Sequence, residues 1–212
     1  MIKIENAVTP SPEQWEAVIH GARNPFNSWD RSDSEWNVEH PDIYYVGESD
    51  LDLLKRLANA GDDHGKFMRM LPVIVDITAP CYWWKQMDTY KIGTVSDSCS
   101  TMHTLTARPF KHEDFSFDYG GEVIEDAFLT ALNDTWKLWY RSDGEQKQKL
   151  WFMLNEMLPQ SYNQIRTWCA NYQVLRHIYH SRKNHKLKEW HDFCDWIETL
   201  PYAKELIIGV TE

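Results

Sequence analysis

Hydrophobic and polar positions follow different periods in the two halves of the chain. After residue 120, apolar residues recur every three or four positions, which is typical of amphipathic helices. This pattern predicts helices over 122–141, 145–158, 161–181 and about 185–199. In the first half it predicts helices over 12–21 and 51–59 and a β-branched strand over 73–78. These elements predict a helix-rich α+β protein with a single domain, residues 1–212.

Local residue choices mark where some of these elements begin and end. Ser11-Pro12-Glu13-Gln14 combines an N-cap serine, a proline in the first turn and a glutamine three residues on, which is typical of a helix start. Gly61 closes the second predicted helix. Residues 24–49 are polar and acidic, and we expect a long connection there that Trp29 and Trp36 help to order.

Composition excludes several classes of protein. Hydrophobic residues make up 42% of the 212 positions and 11 are Trp, which excludes a disordered chain. The formal net charge of −10 argues against binding to a nucleic-acid backbone. No apolar stretch approaches the ~18 residues of a membrane span, and the first residues do not resemble a signal peptide. We therefore expect a cytoplasmic protein that binds neither nucleic acid nor membranes.

The four cysteines point to no cysteine-based site. They are Cys81, Cys99, Cys169 and Cys194. None are two residues apart, so zinc-ribbon and CxxC redox sites are excluded, and reduced thiols are expected. His177 and His180 alone have the spacing of metal ligands, and we predict no metal site.

Positive charge is concentrated in one segment. Residues 161–190 contain six Lys and Arg and a single acid, Glu189, so this segment is +5 and the remainder of the chain is −15. A local anion site is compatible with this distribution.

The predicted 161–181 helix has an apolar face with steps of three and four residues. Its members are Ile165, Trp168, Tyr172, Leu175 and Tyr179. The next step reaches Arg182, and a guanidinium is costly to bury without an anion. Asn171 precedes Arg182 by eleven residues, so on one continuous helix the two would share a face roughly 16 Å apart. Two interpretations stay open: Arg182 lies at the protein surface, or it lines an anion pocket.

A hydroxyl-rich segment follows the predicted strand. Within 86–104 the hydroxyls belong to Thr89, Tyr90, Thr94, Ser96, Ser98, Ser100, Thr101 and Thr104. With Lys91 and Gly93 they could hold a phosphate, or they could cap the local backbone as in any polar loop. The standard glycine-rich nucleotide motifs are absent.

The order of several short motifs along the chain resembles that of the flavin-dependent thymidylate synthases. In chain order these motifs are Ala22-Arg23, His64, Ala79-Pro80 after the strand, Gln86, Leu158-Pro159, Trp168-x-x-Asn171 and Arg182. The family has an Arg eleven residues after the Asn, as here. The resemblance implies a small antiparallel sheet surrounded by helices.

The family signature Arg-His-Arg-x-x-Ser-x-Asn-Glu-x-Ser-x-Arg-Tyr is altered in this chain. Thr89-Tyr90-Lys91 replaces Arg-His-Arg, and Thr94-Val95-Ser96-Asp97 replaces Ser-x-Asn-Glu. After one inserted residue, Ser100 takes the later Ser position, and Met102-His103 replaces Arg-Tyr. Asn155 stands where a phosphate-binding Arg precedes Leu-Pro. Three guanidiniums that would make bidentate contacts are therefore missing.

The resemblance implies a function and a set of site residues. It implies a flavin-dependent methyltransferase that transfers a one-carbon unit to C5 of a pyrimidine nucleoside monophosphate, or otherwise modifies C5. FAD would be the cofactor, NADPH and methylenetetrahydrofolate would be co-substrates, and the enzyme would be a homotetramer. Arg182 would be catalytic and would also bind the substrate. The other substrate-binding residues would be Gln86, Lys91, Asp97 and Ser100. The cofactor-binding residues would be His64, Tyr90, Lys91, Asn171 and His177.

Two other classes of protein stay open. One is a non-catalytic homologue that binds a nucleotide or a protein partner. The other is a helical interaction protein whose similarity to the family is accidental.

Overall fold

The computed structural model describes residues 2–118 and 120–209. It contains two compact units. Unit 1 comprises Met1–Lys3, Ile77–Thr89 and Asp97–Thr167, and unit 2 comprises Ile4–Asp76, Tyr90–Ser96 and Trp168–Glu212. That the whole chain is one domain stays a prediction.

Helices dominate the described residues. The α-helices are α1 (Pro12–Arg23), α2 (Glu48–Asn59), α3 (Cys81–Met87), α4 (Thr101–Thr104), α5 (Glu122–Arg141), α6 (Gly144–Glu156), α7 (Tyr172–Arg182) and α8 (Lys188–Glu198). The strands are β1 (Lys3–Val8), β2 (Glu35–Trp36), β3 (Tyr44–Tyr45), β4 (Pro72–Pro80), β5 (Val95–Ser98) and β6 (Asn163–Asn171). A 3-10 helix spans Gly65–Met70, and a π-helical turn spans Lys204–Ile208. No helix in the described ranges is long and apolar enough to cross a membrane.

Four strands form a small sheet in the order β1–β4–β6–β5, and β2 and β3 form a separate antiparallel pair. Strands β4 and β6 run antiparallel. The Tyr172 N–H donates to the Leu71 carbonyl beside one end of β4, and the Cys81 N–H donates to the Tyr162 carbonyl beside the other end. The predicted helix-rich α+β fold with a small antiparallel sheet is confirmed.

Local sequence explains three of the predicted elements, although α1 ends two residues later than predicted and β4 extends beyond 73–78 at both ends. Ser11 accepts a hydrogen bond from the Gln14 N–H, and the Gln14 side chain accepts one from the Ser11 N–H, which completes the capping box of α1. The β-branched run of β4 alternates between buried and more accessible positions, as strand residues do. Helix α5 has the predicted bounds.

The predicted helix over 161–181 is wrong in its first half. Residues 163–171 form strand β6, and only Tyr172–Arg182 is helical. Trp168 and Ala170 are buried whereas Ile165 and Thr167 are exposed, which is the two-residue period of a strand. Ile165 and Trp168 therefore lie on opposite faces of β6, and the apolar face drawn through both does not exist.

Helix α7 lies within the hydrophobic core of unit 2. It packs against α8, the 3-10 helix and the π-helical turn. The large side chains that are fully buried in this unit include Leu54, Met68, Leu71, Tyr172, Trp190 and Phe193. This core holds both ends of α7 in place.

Unit 1 has its own aromatic core beside the α5–α6 hairpin. Its buried members are Leu105, Phe110, Phe115, Leu132 and Leu154. Phe115 makes ring contacts with Phe110, Phe117, Phe128 and Tyr162.

The polar connection over 24–49 is ordered chiefly by a buried ion pair. Arg23 donates to the carboxylate of Asp50, whose side chain is fully buried. The hydroxyls of Ser32 and Ser34 donate to the other carboxylate oxygen, as does the Ser34 N–H. Trp29 and Trp36 contribute as predicted, through hydrogen bonds to the side chains of Asn24 and Glu16.

Candidate functional site

The side chain of Arg182, the last residue of α7, is held by two aromatic residues in unit 2. Its Nε donates a 2.8 Å hydrogen bond to the Tyr90 hydroxyl. The guanidinium carbon lies 4.7 Å from the centroid of the Trp190 ring and 5.5 Å from that of Tyr90. Both distances are within the range of cation–π attraction. Arg182 is half-buried and fixed in place, as an anion-binding residue needs to be.

The rings around Arg182 are anchored by the core of unit 2. Trp190, in the first turn of α8, is fully buried and contacts the ring of Phe193, which in turn contacts Trp168. The Tyr90 carbonyl accepts a 2.6 Å hydrogen bond from the Thr94 hydroxyl. The guanidinium therefore rests on side chains that have little freedom to move. We call Tyr90, His177, Arg182, His185 and Trp190 the Arg182 cluster.

Two histidines complete the Arg182 cluster. The His177 ring is exposed and lies 5.7 Å from that of Tyr90, and the His185 ring lies 6.2 Å from that of Trp190. Burial, together with the charges of Arg182, His191 and Lys186, lowers the pKa of His185 below its ordinary value. The lowered pKa favours the neutral form of the His185 imidazole at pH 7.

The segment that carries Tyr90 approaches the start of α7 closely. Gly93 has a φ of 76°, and a Cβ there would lie 3.1 Å from Nδ2 of Asn171 and 3.2 Å from Cγ2 of Val174. Glycine is suited to this position both because of its positive φ and because of the short distance. Lys91 and Ile92 are exposed in the same segment.

Asn171 has a different place from the one predicted. It is the N-cap of α7, and its Oδ1 accepts a 3.1 Å hydrogen bond from the Val174 N–H. The expectation that Asn171 and Arg182 share one face of a continuous helix is wrong, because the helix begins only after Asn171. The two residues mark the opposite ends of α7 instead.

The structure brings some of the predicted site residues together. Tyr90, His177 and Arg182 make direct contacts, and Asn171 lies against the Gly93 segment that also carries Lys91. His64 is exposed at the start of the 3-10 helix, and its N–H donates to the Gly61 carbonyl. The role of His64 as a cofactor-binding residue stays a prediction.

The other predicted residues belong to unit 1. Gln86 is half-buried in the last turn of α3, and Asp97 is exposed on β5. Ser100 is the N-cap of α4. Each of these three side chains has the chemistry to contact a nucleotide, and their roles stay predictions.

Several hydroxyls of the 86–104 segment bond to the local backbone. Those of Thr89, Thr94 and Thr104 donate to the carbonyls of Gln86, Tyr90 and Ser100. For these three, the geometry favours local capping over phosphate binding.

Sequence reasoning missed Trp190 and His185 as members of the cluster. Both lie within the basic segment, His185 three residues and Trp190 eight residues after Arg182. It also missed Arg166 in unit 1, whose guanidinium carbon lies 4.3 Å from the Trp84 ring centroid and whose Nη1 bonds to Asp88. No group of three or more His, Cys, Asp or Glu side chains suited to a metal occurs within 2–118 and 120–209.

Fold and site together define a helix-rich α+β protein with an arginine held by aromatic rings beside two histidines. Comparison with known proteins shows which solved structures have a similar fold. No protein-family model and no curated sequence matches the chain. Solved structures do match it, and they share its fold.

Two structures illustrate the similarity. The first is thymidylate synthase X (ThyX) from Helicobacter pylori with FAD and dUMP, with a TM-score of 0.70 and 17% sequence identity. The match covers 97% of this chain and 96% of that one. The second is the UMP/dUMP methylase PolB from Streptomyces cacaoi bound with 5-Br dUMP, with a TM-score of 0.58 and 14% identity over 94% of this chain and 88% of that one. The chain thus has the fold of the flavin-dependent thymidylate synthase ThyX.

Proposed function

We propose that this protein modifies C5 of a pyrimidine nucleoside monophosphate, as a flavin-dependent enzyme of the thymidylate synthase type. The observation that carries the proposal is the half-buried Arg182 guanidinium, positioned by the Tyr90 hydroxyl and the Trp190 ring. The shared fold supports it, because ThyX with that fold binds FAD and dUMP and PolB with that fold binds brominated dUMP.

Arg182 is the residue proposed to act on the substrate base. Pyrimidine carbonyls and the anionic forms of the ring are hydrogen-bond acceptors, and a guanidinium donates to such groups in a fixed plane. Since Tyr90 and Trp190 already restrict the Arg182 side chain, less entropy is lost when a ligand binds. The same donors polarise the base toward reaction at C5.

The remaining nucleotide contacts are assigned to residues with suitable donors and acceptors. Lys91 is an exposed cation able to meet a phosphate, but only as a point charge. Gln86 and Ser100 offer neutral donors and acceptors for the sugar and base. The Asp97 carboxylate is proposed to accept a hydrogen bond from a ribose hydroxyl or from the base N–H.

The residues around Tyr90 have side chains of the chemical types that bind a flavin. Lys91 and His177 are exposed on unit 2, and the His177 ring packs edge-on near Tyr90. An exposed cation suits the diphosphate of FAD, and aromatic rings suit its planar ring system. Tyr90, Lys91 and His177 would hold the cofactor, with Asn171 and His64 proposed beside them. When bound, the flavin supplies the redox chemistry, while these residues bind it and orient it.

The co-substrates and the assembly complete the proposal. NADPH is proposed as the reductant and methylenetetrahydrofolate as the one-carbon donor, in a homotetramer. These assignments come from the resemblance to the family.

A non-catalytic relative that binds a nucleotide is the second candidate. The side-chain oxygen of Asn171, Oδ1, accepts the hydrogen bond that caps α7, and the Tyr90 hydroxyl accepts a hydrogen bond from Arg182. Two of the proposed cofactor-binding side chains are therefore already committed to internal hydrogen bonds, which favours a site that holds a nucleotide without flavin.

Visible absorption of the purified protein, before and after addition of FAD, separates these candidates. The enzyme is expected to be yellow or to take up FAD, and to be stabilised against thermal unfolding by dUMP or UMP. A colourless protein that ignores FAD but is stabilised by a nucleotide would favour the second candidate. Absence of any effect from flavin or nucleotide would rule out both.

A further inference from the structure

Unit 1 contains a cavity of about 400 Å³ that the proposed function does not use. The cavity lies where the 99–114 segment meets the start of β6 and the end of β4. Its lining includes Thr78, Cys99, Leu105, Phe110, Tyr162 and Ile165. Binding sites for small molecules typically have about 300–1,000 Å³, so the volume is sufficient for a ligand of one or two rings. Neither Arg182 nor Tyr90 lines it.

Hydrogen bonds to the neighbouring strand hold the wall of the cavity in place. The Cys99 N–H donates to the Ile165 carbonyl, and the Gln164 amide donates to the Cys99 carbonyl. Leu105 and Phe110 are buried members of the unit 1 core. The cavity therefore has a stable apolar base, which favours a ligand with an apolar ring surface.

The charges in the wall are already paired. Arg108 makes two hydrogen bonds to the carboxylate of Asp114, at 2.7 and 2.6 Å. Glu113 pairs with Lys111. A phosphate or carboxylate ligand would have to displace one of these carboxylates from its cation, so the cavity favours an uncharged ligand.

One hydroxyl is available as a hydrogen-bond donor. Within residues 2–118 and 120–209, the Tyr162 hydroxyl makes no hydrogen bond, although the side chain is half-buried. Burial, with the nearby charges of Asp114 and Cys99, raises the pKa of Tyr162, so this hydroxyl keeps its proton at neutral pH. A half-buried donor of this kind gains a hydrogen bond when an acceptor enters.

We propose that this cavity is a binding site for an uncharged planar heterocycle, such as a nucleobase. The ring packs against the apolar and aromatic side chains, and one of its carbonyl or ring-nitrogen atoms accepts a hydrogen bond from Tyr162. The inference is independent of the proposed function, since it concerns different residues and a ligand without phosphate.

The Cys99 thiol allows the site to be tested directly. Cys99 is exposed in the cavity wall, whereas Cys194 is buried and serves as an internal reference. Alkylation of Cys99 by iodoacetamide would be followed by mass spectrometry with and without uracil. A probe at ten times its Kd leaves about one protein in eleven unoccupied, so labelling of Cys99 is expected to slow about tenfold.

Substitutions test whether uracil protects Cys99 by binding in the cavity. Tyr162→Phe is expected to weaken uracil binding about twofold to tenfold, the effect of one neutral hydrogen bond. Tyr140→Phe, at an exposed tyrosine outside the cavity, should leave it unchanged. Thr78→Phe is expected to fill the cavity and to abolish the protection of Cys99 by uracil. If this variant does not fold, the uracil affinity of Tyr162→Phe is the test of the site. Protection should persist in Arg182→Ala, which separates this site from the nucleotide site.

Three results would overturn the inference. The first is Cys99 labelling that does not respond to uracil. The second is equal protection by inorganic phosphate. The third is equal uracil affinity in Tyr162→Phe and in the wild-type protein.

Discussion

Two arginines of unit 2, Arg23 and Arg182, show how the surroundings of a guanidinium decide its use. Arg23 is 5% exposed and is paired with Asp50, which accepts further hydrogen bonds from two serines. Arg182 is half-buried and is positioned by a tyrosine hydroxyl and two aromatic faces. Both belong to the short motifs on which the resemblance to the flavin-dependent thymidylate synthases depends, and only the second is proposed as a binding group.

The two guanidiniums differ in which neighbouring groups compensate for their removal from water. A buried carboxylate neutralises Arg23, and that pair orders the connection over 24–49. At Arg182, a tyrosine hydroxyl and two aromatic faces hold the guanidinium in place. Arg23 therefore stabilises the fold, whereas Arg182 is proposed to bind a ligand.

The largest expected effect is on the stability of the scaffold. Arg23→Ala leaves the Asp50 carboxylate buried without its cation and should lower the free energy of unfolding by about 3–5 kcal/mol. Urea denaturation followed by circular dichroism measures this. Arg69→Ala, at an exposed arginine of the same unit, is the control and should cost less than about 0.5 kcal/mol. Equal losses in the two variants would contradict a structural role for Arg23.

Arg182→Ala should have a large effect on nucleotide binding. Loss of its charge-assisted hydrogen bonds is expected to weaken nucleotide affinity about 10- to 100-fold. Isothermal titration calorimetry with dUMP measures the change. Lys188→Ala removes a cation that is 72% exposed and paired with Asp192, and should change affinity little. Similar effects of the two substitutions would remove the argument for an anion site at Arg182.

The Arg23–Asp50 pair should also make stability depend on acid pH. Burial raises the pKa of Asp50, but the bonds from Ser32, Ser34 and Arg23 outweigh it and hold the pKa below the ordinary value of 3.8. The unfolded chain therefore takes up the proton first as the pH falls, and the stabilisation present above pH 3.8 is lost progressively below it.

Unfolding measured at several acid pH values checks this dependence. Asp50→Asn should be less stable at neutral pH and should show a weaker pH dependence than the wild-type protein. Asp52→Asn, at an exposed carboxylate on the same helix, is the matched control. An unchanged slope in Asp50→Asn would show that other carboxylates dominate acid unfolding.

The smallest expected effect concerns the positioning of Arg182. Tyr90→Phe removes the hydroxyl that accepts from Arg182 Nε but keeps the ring, so nucleotide affinity should fall about twofold to tenfold. The same calorimetric titration measures it, with Tyr140→Phe as the control. A loss as large as that of Arg182→Ala would mean that Tyr90 itself contacts the ligand.

Sequence alone determined the elements whose causes are local. The capping box at Ser11, the β-branched run of β4 and the three-to-four-residue period of α5 each depend on residues close together in the chain, and each was predicted. The short motifs in order also indicated the fold that the solved structures share.

Tertiary structure decided the remainder. Residues 163–171 have a helix-like spacing by coincidence, but they pair with β4, and pairing between distant strands is not encoded in local periodicity. The Arg182 cluster joins Tyr90 to residues about 90 positions later, and Trp190 enters it only because α8 packs on α7. The sequence determines which chemical groups are present. The packing of distant segments determines which of these groups are in contact, because the burial of a charged side chain depends on neighbours from the whole chain.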